Sequence, residues 1–343
     1  MKAAVIGSTG YGGAELIRLI EGHPELELSA AVSTSQAGEE LGTSWLSLSH
    51  LGRMYEELDP ERVCRKADLV FFATPPGICA RWAAPFLEAG CIVIDLSADF
   101  RFHDPAVYEE RYGKPPAPKE WLERAVYGLS EWNRERLREA ELIANPGCYP
   151  TATLLALLPL LREGIVNPAG VIVDAKSGVT GAGRGLKREL LYCEVNENLR
   201  PYRVTGHPHT TEIEEGAARF AGRELRISFV PHLVPMNRGI LVTVYASLMN
   251  KYTEKELTDL YRDAYRDKPF IRILTDRPPE TGAVRGSNFC DIAVRVDERT
   301  GRVILMAAID NLMKGAAGQA MQNANIRLGW SEETGLKALP QYP

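Results

Sequence analysis

The stretch KAAVIGSTGYGGAELIRLIEG, residues 2–22, constrains the fold more than any other part of the chain. KAAVIG is an apolar run of strand length, glycines 10, 12 and 13 mark a tight turn, and AELIRLIEG repeats apolar residues at 16, 17, 19 and 20 along one helix face. The pattern recurs. LELSAAVS (26–33), ADLVFFATP (67–75), CIVIDLS (91–97) and ELIANP (141–146) are further strands, and ICARWAAPFLEAG (78–90) is a helix between two of them. Strands alternating with helices predict an α/β fold with a doubly wound, mainly parallel sheet of Rossmann type, whose ligands lie beyond the carboxyl ends of the strands.

At 343 residues the chain exceeds the usual size of one core, so two domains are expected. After a helix at about 150–163 the texture changes. GVIVDAKSGVTG, LRISFVPHLVP, RGILVTVYASLM, CDIAVRVDERTG and RVILMAAIDN are rich in β-branched residues and separated by turn signals, which predicts a second α+β domain on a large mixed sheet. KGAAGQAMQNANIRLGW (314–330) reads as one last helix. The expected division is 1–148, completed by the C-terminal segment 313–343, and 149–312. No repeat, low-complexity tract or linker separates them.

Forty basic against 45 acidic residues give a formal net charge of −5, which argues against a nucleic-acid-coating surface. The first apolar run is too short for a signal peptide or a membrane span, so a cytoplasmic protein with no membrane partner is expected. Six scattered cysteines without a C-x-x-C pair imply free thiols, with neither a disulfide framework nor a structural metal site.

The turn G-S-T-G-Y-G-G, residues 7–13, suits a dinucleotide pyrophosphate: glycine lets backbone approach, and the helix N-terminus offers N–H groups and a favourable dipole. Gly7, Ser8, Thr9, Gly10, Tyr11 and Gly12 are the candidate contacts. An NAD-preferring site places an acid about 20 residues on, at the ribose. Here the second strand runs into Ser33, Thr34 and Ser35, with no acid before Glu39, which points to NADP(H). Pro75, Ser177 and Gly178, at strand ends, complete this set.

Cys148 follows a strand and precedes PTATLLALL, with Pro150 near the first helical position. A thiol there sits by a helix N-terminus, which stabilises a thiolate, at the ligand edge of a doubly wound sheet. Such a nucleophile needs a proton carrier, and His207 and His209, in TGHPHTTEIEEGAARF, stand out among six histidines. Glu212 has the spacing to orient His209. His23 and His232 read as structural. Substrate anions need cations: Arg101 lies in SADFRF, the segment directly after the strand CIVIDL, while Lys176, Arg184, Lys187 and Arg238 lie in or beside glycine-rich strand-end segments. Asn145 joins the substrate-binding candidates.

GSTGYGGAEL, DLSADFRF, ANPGCYPT, AKSGVTGAGR, GHPHTTEIEE, PHLVPMNRG and DNLMKGAAGQAMQN together resemble the type 1 N-acetyl-gamma-glutamyl-phosphate reductase family, relatives of aspartate-semialdehyde dehydrogenase. The resemblance runs end to end. It implies NADPH-dependent reduction of an acyl phosphate to an aldehyde in arginine biosynthesis, with release of inorganic phosphate, by a homodimer or homotetramer. It makes Cys148 the acyl-accepting nucleophile and His209 the acid/base, with His207 competing, and it places Asn311, Lys314 and Gly315 near the nicotinamide or the domain hinge. The histidine segment departs from the family pattern at Pro208, Thr211 and Glu215, where arginine, proline and glutamine are usual. A substrate role of that arginine would pass to Arg203 or Arg184. The competing readings are a reductase of a carrier-linked aminoadipyl phosphate in lysine synthesis, one methylene longer, and a non-catalytic NADP-binding regulator.

Overall fold

The structure is a computed structural model that describes residues 1–341. It divides into two compact units: Met1–Pro146 with Ala316–Lys337, and Gly147–Gly315 with residues 338–341. Of the C-terminal segment 313–343, positions 342 and 343 lie outside the described residues.

The first unit is built on seven strands, β1 (Lys2–Ile6), β2 (Glu27–Val32), β3 (Tyr55–Glu56), β4 (Leu69–Phe72), β5 (Ile92–Asp95), β6 (Val126–Tyr127) and β7 (Leu142–Ala144). All pair in parallel, in the order β3-β2-β1-β4-β5-β7-β6. LVFF, IVID and LIA are buried along their whole length, as strands covered by helices on both faces must be. The strand order reverses between β1 and β4, so the crevice for a ligand opens at their carboxyl ends. Gly7 follows β1 there, and residues 73–75 follow β4. The expected parallel fold is borne out, with two strands the pattern did not reveal, the two-residue β3 and β6.

Sequence 314–330 forms a single π-turn, Met313–Ala317, and then a helix, Gly318–Arg327. The helix belongs to the first unit, where its amides are buried and paired. Gln319 and Asn323 donate to the Gly128 carbonyl at 2.9 and 2.8 Å, and Asn325 donates to the carbonyls of Glu332 and Thr334 at 3.0 and 2.8 Å.

The second unit holds β8 (Ala169–Gly178), β9 (Arg200–Pro201), β10 (Arg226–Val234), β11 (Ile240–Ser247), β12 (Ile271–Leu274), β13 (Cys290–Asp297) and β14 (Arg302–Ile309). Their order is β12-β13-β14-β11-β8-β10-β9; the pairs β8/β10 and β12/β13 are parallel and the rest antiparallel. The expected mixed sheet is therefore present. Helix Cys148–Arg162, almost wholly apolar, covers one face with helix Pro208–Ala221 beside it. Burial alternates along β10 and β11, as a sheet with one covered face requires. The other face presents Ile172, 39% exposed, with half-buried Val230, Leu241, Tyr245, Ile304 and Met306. Among the described residues no helix is long and apolar enough to cross a membrane.

Candidate active site

In the first unit the glycines of the turn divide by what surrounds them. A Cβ on Gly7, whose φ is +89°, would lie 2.4 Å from the Ala73 carbonyl oxygen, and one on Gly13 would lie 2.3 Å from the Gly7 carbonyl oxygen. Both are demanded by packing. A Cβ at Gly10 or Gly12 would have its nearest atom 3.6 or 3.9 Å away, an ordinary contact, so the protein itself has room for a methyl group there. Helix Tyr11–Glu21 starts after Gly10 with no capping side chain. Two unstrained glycines and an uncapped helix N-terminus fit a diphosphate.

Ser8 is buried and donates its hydroxyl to the Val5 carbonyl at 2.6 Å, while Thr9 and Tyr11 are half-buried, and the Tyr11 ring lies 5.7 Å from that of Trp45. Ser33 is also buried, its Oγ accepting from the N–H groups of Ser35 (3.3 Å) and Gln36 (3.2 Å). Ser33 therefore shapes the loop, and Thr34 and Ser35 are the exposed hydroxyls. Pro75 is exposed beyond β4.

Arg101 is buried, donating from Nε to the Asn145 carbonyl at 2.8 Å and from Nη2 to the Leu96 carbonyl at 2.9 Å. It fastens the end of β5 to the end of β7. Asn145 is fully buried as well, its Nδ2 donating to the Ala316 carbonyl (3.1 Å) and its Oδ1 accepting from Asn323 (3.1 Å). Beneath them Asp99 accepts from the N–H groups of Gly77 (2.8 Å) and Ala80 (2.9 Å) and from the Tyr108 hydroxyl (2.6 Å). Burial and this neighbouring Asp99 push the Asp95 carboxyl up. The SADFR segment thus contains a buried polar frame.

In the second unit Cys148 is the first residue of its helix, half-buried, with Gly147 as an N-cap that has no side chain to satisfy the first turn. The Gly147 N–H donates to Glu212 Oε1 at 2.7 Å, and the other oxygen, Oε2, lies 3.9 Å from His209 Nε2. One carboxylate thus meets both the backbone entering the thiol helix and the imidazole. His207 caps helix Pro208–Ala221, its Nδ1 accepting from the His209 N–H at 3.1 Å. Its ring lies within 5.9 Å of Tyr149, Tyr202, His209 and Phe229, and burial, with help from His209 and Arg203, pushes its pKa down to about 2. His207 therefore stays neutral.

The remaining candidates of this unit are tied into the loops. Asn311 accepts from the Gly239 N–H (2.8 Å) and donates to Thr180 Oγ1 (2.9 Å); Ser177 donates to the Gly178 carbonyl (3.0 Å). A Cβ on Gly178 would lie 2.7 Å from the Asn237 carbonyl oxygen. Lys314 is buried with Nζ 5.9 Å from the Phe270 ring centre, and Gly315 abuts Cys148. Arg238 forms a two-pronged ion pair with buried Asp310, Lys176 pairs with Asp174, and Arg184 and Lys187 are exposed.

Residues 2–140 match the family described as "Semialdehyde dehydrogenase, NAD binding domain", and residues 148–311 match "Semialdehyde dehydrogenase, dimerisation domain". Over their whole lengths, the N-acetyl-gamma-glutamyl-phosphate reductases of Brevibacillus brevis and Geobacillus kaustophilus are each 50% identical to this chain, and that of Geobacter metallireducens is 49% identical. The chain belongs to the N-acetyl-gamma-glutamyl-phosphate reductase family. Solved structures show the same fold. Aspartate semialdehyde dehydrogenase II of Vibrio cholerae superposes with a TM-score of 0.72 at 18% identity, over 96% of this chain and 98% of that one. The Candida albicans aspartate semialdehyde dehydrogenase with NADP gives 0.73 at 19% identity, over 95% and 97%.

For this member of the N-acetyl-gamma-glutamyl-phosphate reductase family, motif reading missed Tyr149 and Tyr202. Their hydroxyls are 3.3 Å apart beside His207, and burial pushes the Tyr202 phenol up to about 12. Tyr149 follows the thiol in ANPGCYPT, and that adjacency was the available signal. Nothing near Tyr202 in the sequence marks it.

Proposed function

We propose that the chain reduces N-acetyl-gamma-glutamyl phosphate to the semialdehyde with NADPH, releasing phosphate, through a thioester on Cys148. The observation that carries this reading is the Glu212 carboxylate, which holds the Gly147 N–H at 2.7 Å while its second oxygen faces His209 at 3.9 Å. The Cys148 sulfur forms a bond to the acyl carbon as the carbon–oxygen bond to phosphate breaks, and phosphate leaves with the electron pair. Backbone N–H groups at the start of the helix steady the developing oxyanion, worth about 3 kcal/mol per donor. Bound NADPH supplies the hydride that brings the thioester to the aldehyde level. The carbon–sulfur bond then breaks and Cys148 leaves as thiolate. His209 takes the thiol proton and returns one to the leaving group; neutral, aromatic-boxed His207 caps the helix that presents it.

Gly10, Gly12 and the N–H groups that follow would hold the diphosphate, with Gly7, Ser8, Thr9 and Tyr11 forming the turn, and Thr34 and Ser35 would take the 2′-phosphate. Ser33 supports them through its own turn. Arg184 or Arg203, both exposed, would be the cation for the substrate, whereas Arg101 would act through the Asn145 backbone it holds, with Asn145 fixed beside it. The half-buried apolar face of the second sheet supports a homo-oligomer, a dimer or a tetramer, and a biosynthetic enzyme of this kind works in the cytoplasm. Relatives at 49–50% identity bear the acetylglutamyl name, which goes against the carrier-linked aminoadipyl substrate. An NADP-binding regulator has no use for the Cys148–His209–Glu212 arrangement.

The test is to follow the nicotinamide absorbance band with NADPH and each acyl phosphate in turn. Oxidation with acetylglutamyl phosphate and little with the carrier-linked substrate is expected. The reverse preference, or no oxidation with either, would overturn the proposal.

A further inference from the structure

Asp310, fully buried after β14, organises the π-turn Met313–Ala317 with both its side chain and its carbonyl. The carboxylate accepts from the N–H groups of Leu312 (2.8 Å), Met313 (3.0 Å) and Gly286 (2.7 Å). Arg238 donates to it as well, from Nε to both oxygens at 2.9 and 3.2 Å and from Nη2 at 3.0 Å. The Asp310 carbonyl accepts from the Gly315 N–H at 2.9 Å. A carboxylate so fully engaged, with a guanidinium fork against it, fixes the turn closely.

That turn presses the bare backbone of Gly315 against the thiol helix. A Cβ on Gly315 would stand 2.8 Å from Cys148 Cβ, 3.3 Å from the Asp310 carbonyl oxygen and 3.4 Å from Cys148 Cα. Gly315 is absent from the glycines with positive φ, so the demand for glycine here is one of space, not of backbone conformation. Neither Cys148 atom is the end of a flexible side chain. An added methyl would therefore displace the start of the helix or the turn, and the thiol with it.

We propose that Arg238, Asp310 and Gly315 are positioning residues for Cys148: the ion pair sets the turn, the turn sets Gly315, and Gly315 sets the nucleophile's Cβ. Arg238 then serves the reaction without touching substrate. The inference rests on the reading of Cys148 as nucleophile, and the experiment separates the two.

Arg238→Gln, Asp310→Asn and Gly315→Ala are compared with the parent protein for kcat, for KM with acyl phosphate, and for the rate at which iodoacetamide alkylates Cys148, read on its peptide by mass spectrometry. A displaced nucleophile lowers kcat by about 100-fold, with KM changed less than about twofold and alkylation altered in parallel. Arg238→Lys, which keeps the charge and one donor, recovers part of kcat. If Arg238 instead grips substrate, Arg238→Gln raises KM while alkylation keeps the parent rate, and the proposal falls. It falls equally if Gly315→Ala keeps the parent kcat and alkylation rate. Should a buried-pair variant fail to fold, as its melting curve would reveal, Gly315→Ala and Arg238→Lys still decide the matter. Activity surviving in Cys148→Ala would remove the nucleophile reading itself; an inactive Cys148→Ala beside three fully active variants would remove the positioning inference alone.

Discussion

Cys148 is half-buried at a helix start, away from the closely packed leucines farther along the same helix. Cys148→Ala should therefore abolish turnover while leaving NADPH binding and the melting temperature near the parent values. A large loss of stability would instead mark the thiol as core packing. The neutral imidazole of His207 has a different signature. Its pKa falls from the ordinary 6.5 to about 2 on folding, so between these values the unfolded chain binds the extra proton and stability declines as pH falls below 6.5. The slope from this residue is about 1.4 kcal/mol per pH unit once the unfolded imidazole is charged. Asparagine keeps an oxygen to cap the helix, so His207→Asn should flatten the acid limb of a urea midpoint-against-pH curve; an unchanged slope would place the acid sensitivity elsewhere. Of this residue-scale picture, the thiol was legible because Asn-Pro-Gly before it and proline after it announce a helix start. The commitments of Arg101, Asn145 and Arg238 were not, because their hydrogen-bond partners are set by which strand ends meet.

Among elements, the strand–glycine–helix opening was read directly from the sequence, since its apolar runs and turn residues lie next to one another. What remained hidden was the separate task of each glycine. Gly13 is held 2.3 Å from the Gly7 carbonyl oxygen, whereas Gly12 has 3.9 Å of clearance. Gly13→Ala should destabilise the protein by about 1–3 kcal/mol through overpacking. Gly12→Ala should keep the parent stability and weaken NADPH binding, because its methyl intrudes only on what binds above the turn. Denaturation midpoints and NADPH titration of the two variants check the contrast, and equal effects would erase it. The two-residue β3 and β6 are too short to carry any periodicity, and the π-turn at 313–317 follows from the Asp310 contacts, which no local pattern in KGAAGQAM encodes.

For the molecule as a whole, the alternating burial of β8, β10 and β11 leaves one sheet face with its apolar residues only half covered. A charge placed there should oppose self-association: Leu241→Arg should shift the protein toward a smaller species in light scattering, with its secondary structure retained. An unchanged mass would send the interface to another surface. The two domain textures were plain in the sequence. The return of residues 316–337 to the first unit is a tertiary matter, settled by buried amides of Gln319, Asn323 and Asn325 that find their partners far back along the chain. Gly128 shows how closely this helix fits, since a Cβ there would lie 2.4 Å from Asn323 Nδ2. On the ribosome this imposes an order of events. The β1 strand emerges before the second unit and the helix that completes its own unit emerges after it, so the first unit must wait, incomplete, while the second is made.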